Sequence, residues 1–299
     1  MMRRTLGPAL MLAGILFVLT QGCTATRPMW SAITDTPTDV HIQGRWVWAE
    51  LLADNVGMEK DFYHKVFGWR FESKGTGTQT YDLVRADGRP IAGIVHFAKH
   101  AGSERAAKWL PMMSVPDTAR AAEEAVKSGG KVIVASRALP GRGEAAVLAD
   151  PEGAAFGVLH SSSGDPRDEF PDIDTWFWME LWAKDAQKMA DFYRPLGNYE
   201  VTRQEGPGDR EELHLVAGGY PRADILEVLR KDLPSTWLPY VRVKDLQKTV
   251  DTVIEAGGYV VIEPSPDIRN GKVAVFLDPL GAAFAAAEWT DEAAEEGKP

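Results

Sequence analysis

Cysteine is almost missing from this chain: Cys23 is the only one in 299 residues. No internal disulfide can form, so any folded domain must hold together by packing alone. Clustered Lys and Arg are missing too, and the formal charge is −10. That balance excludes a nucleic-acid backbone as partner, because phosphate binding needs concentrated positive charge. The apolar run from Ala9 to Leu19 is too short to cross a bilayer. No nucleophile elbow, phosphate loop or dinucleotide fingerprint occurs. The histidines, His41, His64, His96, His100, His160 and His214, are scattered. His96 and His100 stand four apart on a strand leading into a loop, a spacing that gives no metal-binding face there.

What is present suits a globular protein with two cores: 44% hydrophobic and 25% charged residues. Residues 1–22 have the layout of a secretory signal, with Arg3 and Arg4 ahead of the apolar run. The placement of Cys23 after Leu19-Thr20-Gln21-Gly22 resembles the bacterial lipoprotein signal. That resemblance implies lipidation of Cys23 and an extracytoplasmic, membrane-anchored lipoprotein of the cell envelope. An ordinary cleaved signal and an uncleaved anchor remain alternatives. Residues 23–43, rich in Thr, Pro and Asp, read as a tether.

The body of the chain is an internal duplication. Trp46-Val47-Trp48-Ala49-Glu50-Leu51 and Asp61-Phe62-Tyr63 return 130 residues later as Trp176-Phe177-Trp178-Met179-Glu180-Leu181 and Asp191-Phe192-Tyr193, and Gly68 is matched to Gly197 at an offset of 129. Trp109-Leu110-Pro111 and Asp150-Pro151-Glu152-Gly153-Ala154-Ala155-Phe156 return at an offset of 128, as Trp237-Leu238-Pro239 and Asp278-Pro279-Leu280-Gly281-Ala282-Ala283-Phe284. Domains are expected at 44–161 and 173–290, joined by a polar linker at 162–172 and followed by an acidic tail at 291–299. In the first half, periodicity predicts a strand over 46–53, a helix over 58–67 and strands at 70–73, 80–85 and 91–97. A strand at 110–115, a helix over 118–127 and strands at 131–135, 145–148 and 155–159 then follow. The second half repeats this order, so the fold class expected is α+β, four βαβββ modules in two domains.

Paired βαβββ modules, a helix carrying Asp-Phe-Tyr, and a last hairpin reading Asp-Pro-x-Gly-Ala-x-Phe resemble the vicinal oxygen chelate superfamily. That superfamily includes glyoxalase I, the extradiol dioxygenases and the bleomycin-resistance proteins. The resemblance implies that each half curls into a cup around a divalent metal held by His, Glu or Gln. Its usual ligand places fall on Trp48, Ala92, Leu110 and Gly157, and on Trp178, Ala223, Leu238 and Ala285. None of these side chains binds a metal, so no cofactor is expected.

Period two along the strands fills the first cup with Trp48, Glu50, His96, Met112 and Ser114, and the second with Trp178, Glu180, Glu227, Tyr240 and Arg242. Trp beside a carboxylate and a few polar groups describes a pocket for a small organic molecule. The expectation is a glyoxalase-like lipoprotein that binds such a molecule in one or both cups. Three alternatives stand: a metal-dependent lyase or oxygenase with unconventional ligands, for instance His96 with Glu50; an interaction scaffold; or tryptophans that merely fill the cups, with Glu180 and Arg242 as a buried ion pair.

Overall fold

The computed structural model describes residues 30–76, 79–96, 107–205, 211–228 and 233–289. The signal, Cys23 and the acidic tail 291–299 lie outside the described residues. The first half runs β1 (Trp46–Ala53), α1 (Val56–Phe67), β2 (Arg70–Thr76), β3 (Gln79–Ala86), β4 (Arg89–His96), β5 (Ala107–Ser114), α2 (Thr118–Lys127), β6 (Lys131–Leu139), β7 (Gly143–Ala149) and β8 (Ala155–Ser161). The second runs β9 (Trp176–Ala183), α3 (Ala186–Gly197), β10 (Glu200–Glu205), β11 (Glu211–Ala217), β12 (Tyr220–Glu227), β13 (Thr236–Val243), α4 (Leu246–Glu255), β14 (Tyr259–Ile262), β15 (Val273–Leu277) and β16 (Ala283–Glu288). Each half forms one eight-stranded mixed sheet, ordered β2-β3-β4-β1-β5-β8-β7-β6 and β10-β11-β12-β9-β13-β16-β15-β14. The α+β, four-module expectation is met.

Local signals explain the boundaries. Asn55, Asp117, Asp185 and Asp245 cap the four helices by accepting backbone N–H bonds from the first turn. Gly68 ends α1 in the left-handed region at φ 71°, but the residue doing this after α3 is Asn198 at φ 51°, one beyond the matched Gly197. β5 and β13 begin earlier than expected, at Ala107 and Thr236, and each carries a proline inside. Pro111 and Pro239 lie just before Met112 and Tyr240, where pairing with β8 and β16 starts, so the missing N–H breaks no ladder on that side.

The repeated motifs hold the halves to each other. Trp109 Nε1 donates to the Tyr63 hydroxyl at 2.7 Å, and Tyr63 donates to Asp278 Oδ2 at 2.9 Å. Trp237 Nε1 donates to Tyr193 at 2.8 Å, and Tyr193 to Asp150 Oδ2 at 3.1 Å. The other oxygen of each Asp accepts the backbone N–H groups of its own hairpin, at Glu152 and Ala154 or at Leu280 and Ala282. Accordingly α1, β1 and β4 share a core with α4, β15 and β16, while α2, β7 and β8 share one with α3, β9 and β11. The convex faces of the sheets meet across the halves, which leaves both concave faces turned away as cups.

The stretch expected as a tether is not one from residue 30 onward. Ile33 is 1% exposed, and Thr38 donates its N–H to the Ser163 carbonyl at 2.9 Å. The linker at 162–172 is likewise held down, with Asp165 fully buried and bonded to Ser114 and to the Ile42 N–H. Apolar residues in an otherwise polar segment, Trp30 and Ile33, account for the docking.

Glu59 on α1 lies in the core shared by the first and last modules with 0% exposure, and neither of its oxygens has a hydrogen-bond donor. Burial, reinforced by neighbouring Asp278, pushes its carboxyl up to about 10. Because the folded-state value exceeds the unfolded one, the fold loses stability as pH rises from the unfolded value toward 10. Glu59→Gln should therefore melt above the native chain at alkaline pH, with the difference closing toward pH of about 4.5. Melting midpoints across that range check this.

Candidate functional site

On β1 the cup-facing side chains are Trp48 and Glu50, while Ala49, Leu51 and Ala53 face the outer core. Glu50 pairs in register with Gly93 on β4 and Leu110 on β5, and Met112 with Gly157 on β8. The second cup has the same frame: Glu180 pairs with Asp224 on β12 and Leu238 on β13, and Tyr240 with Ala285 on β16. The sheet register thus makes Gly93 equivalent to Asp224, Leu83 to His214 and Tyr81 to Glu212.

The first cup is closed. Arg142, at the turn between β6 and β7, is 0% exposed and reaches Glu50 Oε1 at 2.6 Å. It also donates to the Tyr81 hydroxyl and the Ser31 carbonyl. Its guanidinium lies 4.6 Å from the Trp48 ring centroid, 5.4 Å from that of Tyr81 and 5.9 Å from that of Trp30. Trp48 Nε1 donates to Glu50 at 2.9 Å, and Met112 packs onto Gly157, where an added Cβ would come within 2.8 Å. Burial pushes the Glu50 carboxyl up, against the pull of Arg142.

The second cup is open, with a cavity of about 900 Å³. Trp176, Phe177, Trp178, Phe170, Tyr240 and Trp289 give it aromatic walls. At its floor, Arg269 from the turn between β14 and β15 meets three carboxylates: Glu212 at 2.7 Å, Glu180 at 3.0 Å and Asp224 at 3.7 Å. Arg269 and Asn270 both adopt left-handed φ, 46° and 55°, at roughly 1–2 kcal/mol each for non-glycine residues, so the carboxylates hold the turn against strain. Glu180 also accepts from Trp182 Nε1 at 2.6 Å and from the Tyr240 hydroxyl at 2.9 Å, and Trp178 Nε1 donates to Asp224 Oδ2 at 2.9 Å. His214 Nδ1 lies against the other oxygen, Asp224 Oδ1. Burial, with Asp224 and Glu180 adding to it, pushes Glu212 up to about 7, and Asp224 holds His214 above its ordinary value. At the rim, Asp168 ties Arg45 of the first half to Arg222 of the second at 3.3 and 2.9 Å.

Of the residues chosen from sequence, the structure brings Trp48, Glu50 and Met112 together in the first cup, with Ser114 farther along β5, and Trp178, Glu180 and Tyr240 in the second. His96 and Glu227 are corrections. Both are exposed at strand ends and pair with Ala53 and Ala183, residues of the outer face, so His96 shares no site with Glu50. Arg242 is another: Glu180 pairs with Arg269 instead, while Arg242 donates to the Trp289 and Pro171 carbonyls and lies 4.5 Å from the Phe170 ring, shaping one wall. Ala92 and Ala223 belong to the outer cores rather than the cups. Sequence reasoning missed Tyr81, Arg142, Glu212, His214, Asp224 and Arg269. The alternation Glu212-Leu213-His214 did signal a polar face on β11, and Asp224 stands one place from the position considered.

The divalent metal that the fold implies does not fit these residues. In the first cup Glu50 is already bound by Arg142, and Gly93, Leu110 and Gly157 supply no donor. In the second the carboxylates converge on a guanidinium, and among the described residues no group of three or more His, Cys, Asp or Glu is arranged to hold a metal ion.

Two cups built from four βαβββ modules, one sealed and one open, define a tandem glyoxalase-like protein. Residues 46–159 match the glyoxalase-like domain family, and 176–285 match the glyoxalase/bleomycin resistance protein/dioxygenase superfamily. The chain belongs to that superfamily. CFP32 of Mycobacterium tuberculosis, a glyoxylase by name, is 25% identical over 244 residues, covering 81% of this chain and 94% of that one. Anthracycline biosynthesis protein DauV of Streptomyces sp. (strain C5) is 27% identical over 263 residues, covering 82% and 93%. Among solved structures, 2,2',3-trihydroxybiphenyl 1,2-dioxygenase from Sphingomonas wittichii aligns with a TM-score of 0.55 at 15% identity, covering 83% and 91%. Likeness at that identity shows the fold.

Two outcomes are expected. Arg142→Met leaves Glu50 buried without its cation and should cost about 3–5 kcal/mol in denaturant unfolding. Glu212 contributes stability that is full below its unfolded value of 4.5 and lost as pH rises through about 7, so Glu212→Gln should gain stability over the native chain across that interval.

Proposed function

We propose that the second cup binds a small, flat aromatic molecule without a metal, and that the first cup is structural. The carrying observation is the contrast between the halves. The same frame is filled in one by Arg142 and the docked segment at 30–33, and in the other holds about 900 Å³ between aromatic walls above a polar floor. Rings supply contact area, and Asp224, His214 and Arg269 supply orientation. The names of the relatives, a glyoxylase and an anthracycline biosynthesis protein, fit the handling of small organic molecules. A metal-dependent activity in this cup would require the metal to displace Arg269 from three carboxylates. On the layout of residues 1–23 we also propose an extracytoplasmic protein tethered by lipid at Cys23; Cys23→Ala should then move from the membrane fraction to the soluble one.

Titration with aromatic carbonyl compounds such as 2-tetralone, followed by tryptophan fluorescence, tests the binding reading. Saturable quenching is expected, unchanged by chelator, and replacing Ala287, which lines the cavity from β16, by Trp (Ala287→Trp) should weaken binding by about tenfold or more, some 1.4 kcal/mol. Binding that survives Ala287→Trp, or that needs added manganese or zinc, would contradict it.

A further inference from the structure

Among the described residues nine large apolar side chains are exposed, and six of them fall on two equivalent strips. Val126 at the end of α2, with Val132 and Ile133 on β6, forms one. Ile254 at the end of α4, with Tyr259 and Val261 on β14, forms the other, and each of the six is between 41% and 63% exposed. Val126 and Ile254, like Ile133 and Val261, stand 128 residues apart, so the same place on both halves carries uncovered apolar surface. Such surface gains free energy only when something covers it. β6 and β14 are also the outermost strands of their sheets, each with one edge unpaired. Charge separates what the apolar residues share. Residues 126–137 hold Lys127, Lys131 and Arg137 and no Asp or Glu, whereas the matched residues 254–265 hold Glu255 and Glu263 and no Lys or Arg. All five of these side chains are exposed. Two basic strips repel, as do two acidic ones, and a basic strip attracts an acidic one.

We propose that copies of this chain join head to tail, the basic strip around Ile133 of one copy seating on the acidic strip around Val261 of the next. The apolar side chains supply the buried area, and the charges around them choose the unlike strip over the like one. The two strips lie on opposite flanks of the molecule, because α2 packs beside α3 and α4 beside α1, so that β6 borders one seam between the halves and β14 the other. A single partner cannot cover both. The contact is therefore heterologous, and a dimer made by it keeps one strip of each kind free at its ends for further copies. Side chains rather than a shared ladder carry the contact. Both edge strands are bulged, β6 against β7 between Val132 and Arg137 and β14 against β15 between Val260 and Ile262, and bulges of this kind work against an unbroken sheet from copy to copy. No residue of either strip lines the cavity of the second cup, so the inference stands apart from the binding reading.

The test is sedimentation velocity of the full chain over a range of concentrations, in a mild detergent that shields the apolar run from Ala9 to Leu19. The sedimentation coefficient should rise with concentration, and less steeply as salt is added, because screening weakens the attraction between the strips. Ile133→Gln and Val261→Gln, each removing apolar surface from one strip, should each weaken self-association by about tenfold. An equimolar mixture of the two variants should recover a dimer, since the intact acidic strip of Ile133→Gln fits the intact basic strip of Val261→Gln. A chain that stays monomeric at every concentration overturns the proposal. So does association left at the native strength in either variant, which is what pairing of like strips or of the N-terminal apolar run would give, and so does a mixture no more associated than its components. Should either Gln variant melt early, Lys131→Glu and Glu263→Lys take their places under the same criteria: each alone weaker, the mixture restored.

Discussion

The hydroxyl of one tyrosine in each core is the point on which this architecture turns. Tyr63 and Tyr193 each accept an indole N–H and donate their own O–H to an aspartate from the other half of the chain. Burial of the aspartates pushes both carboxyls up, and the donated hydrogen bonds hold them against that push. Because the same carboxylate closes its own hairpin through two backbone N–H groups, hairpin shape and docking of the halves are one interaction. Loss of a single partner would leave a buried group unsatisfied, at about 1–3 kcal/mol, and would loosen the hairpin as well. Convex faces clamped together in this way leave the concave faces as the surfaces free to diverge.

They have diverged through charge. Both cups keep a Glu from the first strand of the half and an Arg from the turn between its sixth and seventh strands, and in both the Arg takes up that carboxylate. In the first cup one cation meets one carboxylate inside a cage of rings, and a further piece of chain lies over it, so the charges are balanced and dry. In the second, three carboxylates meet one guanidinium, which leaves groups that titrate near neutrality at the base of an open cavity. The duplication thus separates two demands: one half is packed for stability, and the other buries several carboxylates beneath an open cavity, an arrangement that ordinarily costs stability.

Much of this was legible in the sequence. The 130- and 128-residue offsets revealed the halves, and the recurring Trp-x-Glu placed Trp48, Glu50, Trp178 and Glu180 in their cups. The errors on the fourth strand share one cause. Ala92 and His96, and Ala223 and Glu227, were assigned to the concave face, whereas Gly93 and Asp224 occupy it, because a shift of one residue turns every side chain of a strand over. Both faces of that strand are covered, so its apolar residues carry no sign of which side is which; only its pairing with β1 and β9 settles the matter. Arg142 and Arg269 were out of reach for another reason. Their partners lie 92 and 89 residues away, brought close by sheet curvature that local pattern does not encode.

The central claim is that one cup is sealed and the other is the working site. Fluorine NMR of the full chain with 5-fluorotryptophan incorporated measures this directly, because Trp48 and Trp178 report on the two cups separately. Addition of an aromatic carbonyl ligand should shift and broaden the Trp178 resonance while the Trp48 resonance keeps its position. A shift at Trp48 with Trp178 unmoved would contradict the account.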